Sequence, residues 1–165
     1  MAISIRSIDH SELHVITRLS AEIWPIVYKS IISEEQISYM LKRMYSQEAL
    51  EQNLREGHRF LIATIDNQAI GYAGFQPNYP RLDIAKLHKL YVLPTQHKTG
   101  VGSALFEQTV NKCKMAHCNH LVLQVNKTNP AFHFYQKKGM YIEEEAVIDI
   151  GNGFVMDDYI MRLDW

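Results

Sequence analysis

The sequence predicts a mixed α/β fold, and three observations carry that reading. First, an apolar strand, LHKLYVL (87–93), runs through a short glycine loop, HKTGVG (97–102), into an amphipathic helix that begins SALFEQTV. Second, a matching unit follows: HLVLQVN (120–126) is a Val- and Leu-rich strand, and NPAFHFYQKKGM continues it as a helix. Two strand-to-helix units in succession favour neighbouring parallel strands with both helix N-termini at the same end. Third, two hairpin signals flank these units. RFLIATID and AIGYAGFQ (59–76) turn around Asp66–Gln68, and YIEEEAVIDI and FVMDDYIMRL turn around Gly151-Asn152-Gly153.

The remaining elements follow in order. ISIRSI (3–8) alternates apolar and polar residues as a half-buried strand does. Asp9-x-x-Glu12 has the form of a capping box and opens a helix through about Trp24, where Pro25 breaks or kinks it. Ser33-x-x-Gln36 opens a second helix, with Ile37, Met40, Leu41 and Met44 at helical spacing. Ser46 caps a third, ended by Gly57. Pro94 closes the strand before the glycine loop. Asn129 and Pro130 form an N-cap and first-turn pair, and Gly139 ends that helix after Lys137 and Lys138.

At 165 residues and 47% hydrophobic, the chain can bury a proper core, and residues 1–165 are expected to form a single domain. No repeat, linker or low-complexity tract divides it. A formal charge of −1 and the lack of a basic tract with interleaved aromatics argue against nucleic acid or a membrane surface as partner. MAISIRSIDHSEL lacks the apolar core of a signal peptide, so the cytoplasm is the expected compartment. The two cysteines, Cys113 and Cys118, suit a reducing environment. With His117 and His120 they form CKMAHCNH, but the spacing matches no standard zinc pattern and no metal is expected.

The glycine loop points to the chemistry. Several backbone N–H groups converge where a strand feeds a glycine loop that opens a helix, and the helix dipole adds positive potential. A phosphate-bearing ligand on Gly100–Gly102 is therefore expected. A P-loop is excluded, because no Lys-Ser or Lys-Thr follows a glycine in the required register. A dinucleotide fingerprint is excluded too: only Gly100 and Gly102 are present, and position 105 is Leu. A long ligand would lie in the cleft between the two parallel strands.

With both units in place, the chain resembles the GCN5-related N-acetyltransferases, the GNAT family. The family's first motif, a strand followed by [QR]-x-x-G-x-[GA] and a helix, is similar to LYVLPTQHKTGVGSALF, and its second is similar to VNKTNPAFHFYQKKGM. In the second, Asn129, Phe134, Tyr135, Gly139 and Met140 stand in matching places. One departure is His97, with Gln96 just before it, where the family carries Gln or Arg. The resemblance implies a central mixed, mostly antiparallel sheet of about seven strands, with helices on both faces and a splayed parallel pair at the cofactor cleft.

It also implies acetyl-CoA as cofactor and an N-acetyltransferase that moves its acetyl group to a primary amine by direct attack in a ternary complex. Backbone groups of Leu90, Tyr91, Val92 and Leu93 would hold the pantetheine arm and polarise the thioester carbonyl. His97, Lys98, Thr99, Gly100, Val101 and Gly102 would surround the pyrophosphate, with Asn129 and Lys138 as further contacts. Tyr135 falls where the family carries its thiol-protonating tyrosine, touching cofactor and chemistry alike; the alternative is packing of an aromatic stripe. His88, on the strand entering the cleft, is the candidate base by position and reference pKa, or else a hydrogen-bonded strand-end histidine.

Trp24, Tyr28, Tyr39 and Tyr72 are candidates for the wall that selects the acceptor. IWPIVYKSII and EEQISYMLKRMYS are similar to the branch that includes bacterial polyamine acetyltransferases, which suggests a polyamine among small amines. The alternatives are a protein N-terminal or lysine acetyltransferase, or a non-catalytic CoA-binding regulatory module. A monomer and a homodimer are equally compatible with the sequence.

Overall fold

A computed structural model describes residues 2–165. The chain runs β1 (Ile3–Ile8), α1 (Leu13–Val27), α2 (Glu34–Tyr45), α3 (Gln47–Arg55), β2 (Arg59–Ile65), β3 (Gln68–Gln76), β4 (Ile84–Val92), α4 (Val101–Met115), β5 (His120–Asn126), α5 (Ala131–Lys137), β6 (Tyr141–Gly151) and β7 (Phe154–Asp164). The seven strands form one sheet in the order β1-β2-β3-β4-β5-β7-β6. Every neighbouring pair is antiparallel except β4–β5, which is parallel. The mixed, mostly antiparallel sheet expected from the sequence is therefore present.

Helices cover both faces. On one, Leu105, Phe106 and Cys113 of α4 and Tyr135 of α5 pack on Leu61, Ala63, Ala73, Leu87 and Leu123. On the other, Leu13, Ile16 and Trp24 of α1, Ile37 and Met40 of α2 and Leu50 of α3 pack on Phe60, Ile62 and Tyr72. Burial on two faces explains why RFLIATI reads as a continuous apolar run, since an amphipathic alternation would serve a sheet with one wet face.

The local signals operate as their chemistry suggests. Ser33 and Ser46 accept from the N–H groups of Gln36 and Ala49, at 3.0 and 3.1 Å. Asp66 and Asn67 both adopt positive φ, as a two-residue hairpin turn demands. Two expectations need correction. Asp9 does accept from Ser11 N at 2.9 Å, but Glu12 is not its reciprocal partner, because its carboxylate is taken by the Arg6 guanidinium. Helix α1 also continues past Pro25 to Val27. The proline lies in the last turn and removes one donor only. Tyr28 closes that turn, donating its N–H to the Trp24 carbonyl at 3.0 Å while its ring is buried. Among the described residues, no helix is long and apolar enough to cross a membrane.

Candidate active site

The ladder between β4 and β5 covers only Ile84–Leu87 against His120–Leu123. Beyond it β4 continues to Val92 and β5 to Asn126 with no pairing between them. The other edge of β4 stays bonded to β3 as far as Val92. The strands thus part at Leu87, and alternate backbone amides along the freed edge of β4 face open space.

A bulge sits at the parting. Gly74 pairs with Lys89 and Phe75 with Leu87, so His88 is an extra residue in the ladder. A bulge shifts the alternation by one residue. Ala85 and Leu87 belong to the core under α4, whereas Tyr91 packs with the α1–α3 core and Lys89 reaches Asn53 of α3. Lys86, Lys89 and Tyr91 consequently share the face of the sheet that α1 and α2 cover.

The parting opens a cleft of about 860 Å3 that passes through the sheet. Gly100, Gly102, Ser103 and Phe134 line it on the α4–α5 side, and Trp24, Val27, Met40, Met44 and Met156 line it on the α1–α2 side. On the first side α4 presents its N-terminus. Ala104 donates to the Gly100 carbonyl at 3.0 Å, so the N–H groups of Val101, Gly102 and Ser103 precede the first intrahelical bond. Gly100 has φ +90°, where an L side chain is strained, and a Cβ there would meet no atom within 4 Å. Such a helix end suits an anion.

Around that end the side chains turn inward. His97 Nε2 lies 3.0 Å from the Val92 carbonyl, and the Thr99 hydroxyl donates to the Gln96 carbonyl at 2.6 Å. Both are spent on holding the loop, which leaves backbone amides as the donors that face the cleft. Asn129 caps α5 by accepting from Ala131 N at 2.9 Å, and it also lines the cleft.

At the centre stands Tyr135. It is buried, lines the cleft, and its hydroxyl has no hydrogen-bond partner among the described residues. Burial, with a smaller contribution from Tyr28, holds its pKa well above the ordinary phenol value, so it keeps its proton near neutrality. Opposite, the Tyr28 and Tyr91 hydroxyls are 2.8 Å apart. Burial raises Tyr28 to about 12. Trp24 packs against Tyr28 with ring centroids 4.4 Å apart.

His88 also lines the cleft. Gln76 donates its amide NH2 to the Glu56 carbonyl at 2.8 Å, so its Oε1 is the acceptor for His88 Nε2 at 3.1 Å. That network assigns the proton to Nε2 and leaves Nδ1 as an acceptor. The ring stacks on His58 at 4.1 Å. Burial first, then the nearby His58, Lys86 and Lys89, pushes its pKa down to about 2. His88 is therefore a neutral hydrogen-bonding group with little affinity for a full proton.

Several residues singled out in the sequence stand off the cleft. Tyr39 donates to the Ile150 carbonyl at 2.9 Å and packs on Phe154, bracing the β6–β7 hairpin. Tyr72 is fully buried under α1, its hydroxyl 2.7 Å from that of Ser20. Lys138 lies over the Phe134 ring, 3.5 Å from Glu107, and does not line the cleft. The side chains of Leu93, Thr99 and Val101 do not line the cleft, and the Leu93 N–H is spent on the Ile70 carbonyl. Trp24, Tyr28, His88, Leu90, Tyr91, Val92, His97, Lys98, Gly100, Gly102, Asn129 and Tyr135 are the ones brought together around the cleft.

The cysteine–histidine cluster comes apart. Cys113 is buried under α4, Cys118 Sγ points to Asn78, and His120 Nδ1 pairs with Asp164 at 2.6 Å. Conversely, no motif or spacing marks Lys89 or Asp158, both of which are buried. Burial lowers Lys89 to about 8, and burial with Asp157 raises Asp158 to about 6.

Comparisons with known proteins agree with this geometry. The model of the Acetyltransferase (GNAT) family matches residues 23–140. Spermidine N(1)-acetyltransferase of Thermoplasma acidophilum is 27% identical over 165 residues, covering 95% of this chain and 97% of that protein. The crystal structure of PaiA N-acetyltransferase from Thermoplasma acidophilum in complex with coenzyme A is similar with a TM-score of 0.85 and 26% identity, over the whole of both chains. A GCN5-related N-acetyltransferase structure from Rhodopseudomonas palustris has a TM-score of 0.83 at 19% identity, covering 100% of this chain and 99% of that one, a likeness of fold alone.

Proposed function

The chain belongs to the acetyltransferase (GNAT) family, and from that premise we propose that it transfers the acetyl group of acetyl-CoA to a primary amine of a small molecule. The observation that carries this reading is the parted β4–β5 pair. It opens a channel through the sheet with a helix N-terminus at one mouth and an unbonded tyrosine hydroxyl at the narrows. The similarity to a coenzyme A complex over the whole chain supports the same cofactor.

The cleft fits that cofactor. Its phosphates would meet the N–H groups of Val101, Gly102 and Ser103, where Gly100 leaves open space and Gly102 has no side chain in the way. The freed edge of β4, Leu90 to Val92, would hold the extended arm by backbone hydrogen bonds. Acetyl-CoA supplies a thioester carbonyl carbon that an amine nitrogen attacks directly. An N–H of that edge aimed at the carbonyl oxygen needs no reorganisation as charge develops there, and such donors contribute roughly 2.7–4 kcal/mol. Tyr135 holds its proton ready for the departing sulfur. His88 offers Nδ1 to the incoming amine as a neutral acceptor, and the full proton passes to another group.

The acceptor enters from the α1–α2 side, between Trp24, Tyr28, Met40, Met44 and Met156. Spermidine is the first amine to try, because a relative over nearly the whole chain is named for it. The test is thermal stabilisation by coenzyme A followed by thiol release from acetyl-CoA with small amines. Stabilisation and release are expected; no stabilisation would overturn the reading.

A further inference from the structure

The lining of the cleft is basic. It includes Lys86, His88, Lys89, His97 and Lys98 and no carboxylate. A cationic acceptor therefore needs a negative group just behind that lining. Asp158 of β7 is the one buried carboxylate among the described residues. It pairs across the ladder with Asn126, which lines the cleft, and lies two residues from Met156, which also lines it. Alternation along β7 puts Asp158 and Met156 on one face, and Met156 packs with the α1–α3 core. That is the acceptor's side of the sheet.

Asp158 is 5% exposed, and its Oδ1 has no hydrogen-bond partner among the described residues. An unbonded buried carboxylate oxygen costs more than most native structures tolerate without a reason. No salt bridge among the described residues reaches this side chain. We propose that Asp158 receives the ammonium group of the acceptor and takes a proton from it. The inference rests on the acetyltransferase reading and specifies the acceptor end of that site.

The charged and titratable surroundings suit the role. Tyr28 of α1 and Lys86 of β4 interact with Asp158 across the cleft, and Asp157 and Lys127 flank it, while its β6 partner is Ala146. Burial and Asp157 hold the carboxyl at about 6, with Lys127 and Lys86 pulling the other way. It is thus largely ionised at pH 7, yet more basic than an exposed carboxylate. The protons balance. One of two shed by the nitrogen goes to Oδ1 and on to water. The other replaces the proton that Tyr135 gives to sulfur as the N–C bond forms and the C–S bond breaks.

The experiment measures thiol release from acetyl-CoA with spermidine, glycine and Nα-acetyl-lysine, whose primary amines all stay mainly in the ammonium form up to about pH 9. With Asp158 as acceptor, the native kcat/KM in total amine levels off above about pH 7, since the ammonium form itself is the substrate. Asp158→Asn then falls at least ~100-fold, climbs about tenfold per pH unit, and keeps its stabilisation by coenzyme A. A native profile that itself climbs tenfold per unit up to pH 9, or an Asn variant within threefold of native, overturns the inference and leaves the acetyltransferase reading standing. Where Asp158→Asn does not fold, the native profile decides alone. No thiol release with all three amines overturns both.

Discussion

The hydroxyls of Tyr28 and Tyr91 meet at 2.8 Å across the cleft, joining the last turn of α1 to β4 where that strand has lost its β5 neighbour. Helix α1 has a proline one turn from its end and β4 has a free edge, so each element is weak just where the bond is made. Both rings are largely shielded from water, and burial keeps both phenols protonated at neutral pH. The pair acts as a strap between α1 and β4 at the wall of the cleft.

Tyr28→Phe is expected to lower stability by about 0.5–1.5 kcal/mol, the net worth of one hydrogen bond. It should raise KM for the amine while leaving stabilisation by coenzyme A unchanged. Urea unfolding and steady-state kinetics check the two parts. A variant as stable as the native protein would mean that the strap carries no weight.

Tyr135→Phe tests the proton donor. The ring is packed between Phe106 and Phe134, with centroids 6.2 and 5.3 Å away, so removing the hydroxyl leaves the packing in place. The hydroxyl makes no bond among the described residues, so its removal should cost little stability. Turnover should fall roughly 10²–10⁴-fold, as expected for a positioned acid, with coenzyme A affinity retained. A change in the melting temperature as large as the change in turnover would point to packing instead.

These two tyrosines also mark the boundary of what the sequence makes legible. The strand–glycine–helix units, the hairpin at Asn152-Gly153 and the caps at Ser33 and Ser46 are local: the residues that make the structure adjoin one another in the chain. The continuation of α1 past Pro25 depends on Tyr28 being buried by distant elements. The bulge at His88 shows only against Gly74 and Phe75 of the neighbouring strand. It decides that Lys89 and Tyr91 face α1, and no periodicity within β4 could have foretold it. Tyr39 and Tyr72 read as acceptor-wall residues for the same reason, since an aromatic in a core and one in a cleft look alike in a string. Asp158 lies in an acidic, alternating hairpin strand beside Asp157 and Glu145, which are exposed and paired with Lys127, and nothing in the string tells it from them.

The two loop glycines should separate strain from ligand contact. Gly100 has φ +90°, so Gly100→Ala is expected to cost about 1–2 kcal/mol from left-handed strain. Gly102 has ordinary backbone, and its Cβ would meet only the Phe134 ring at 3.6 Å and Val92 at 3.9 Å. Gly102→Ala should therefore fold normally and keep its affinity for coenzyme A, since the family's motif admits Ala at this place, whereas Gly102→Gln, whose longer side chain fills the phosphate's approach, should bind at least ~10-fold more weakly. Isothermal titration beside thermal unfolding tells the two apart. Equal affinity in Gly102→Gln would remove α4's N-terminus from the binding site.

Acid should weaken the fold earlier than carboxylates alone would cause. Burial holds His58 at about 4 and His88 at about 2, against an ordinary histidine value of about 6.5. Between pH 6.5 and those values the unfolded chain binds protons that the native one refuses, so stability falls as the pH drops through that window. Asp158 works the other way. Its native value of about 6 lies above the ordinary carboxylate, so the folded chain takes up a proton between pH 6 and about 4. Two groups oppose one, and the net expectation is a melting temperature lower at pH 5 than at pH 7. His88→Gln keeps a side-chain N–H for Gln76 and removes one of the two histidine effects, which are nearly equal between pH 7 and 5, so its melting curve should be flatter over the same range. A native melting temperature constant from pH 7 to 5 would show that His88 and His58 accept protons in place, and that the cleft is wetter than its packing implies.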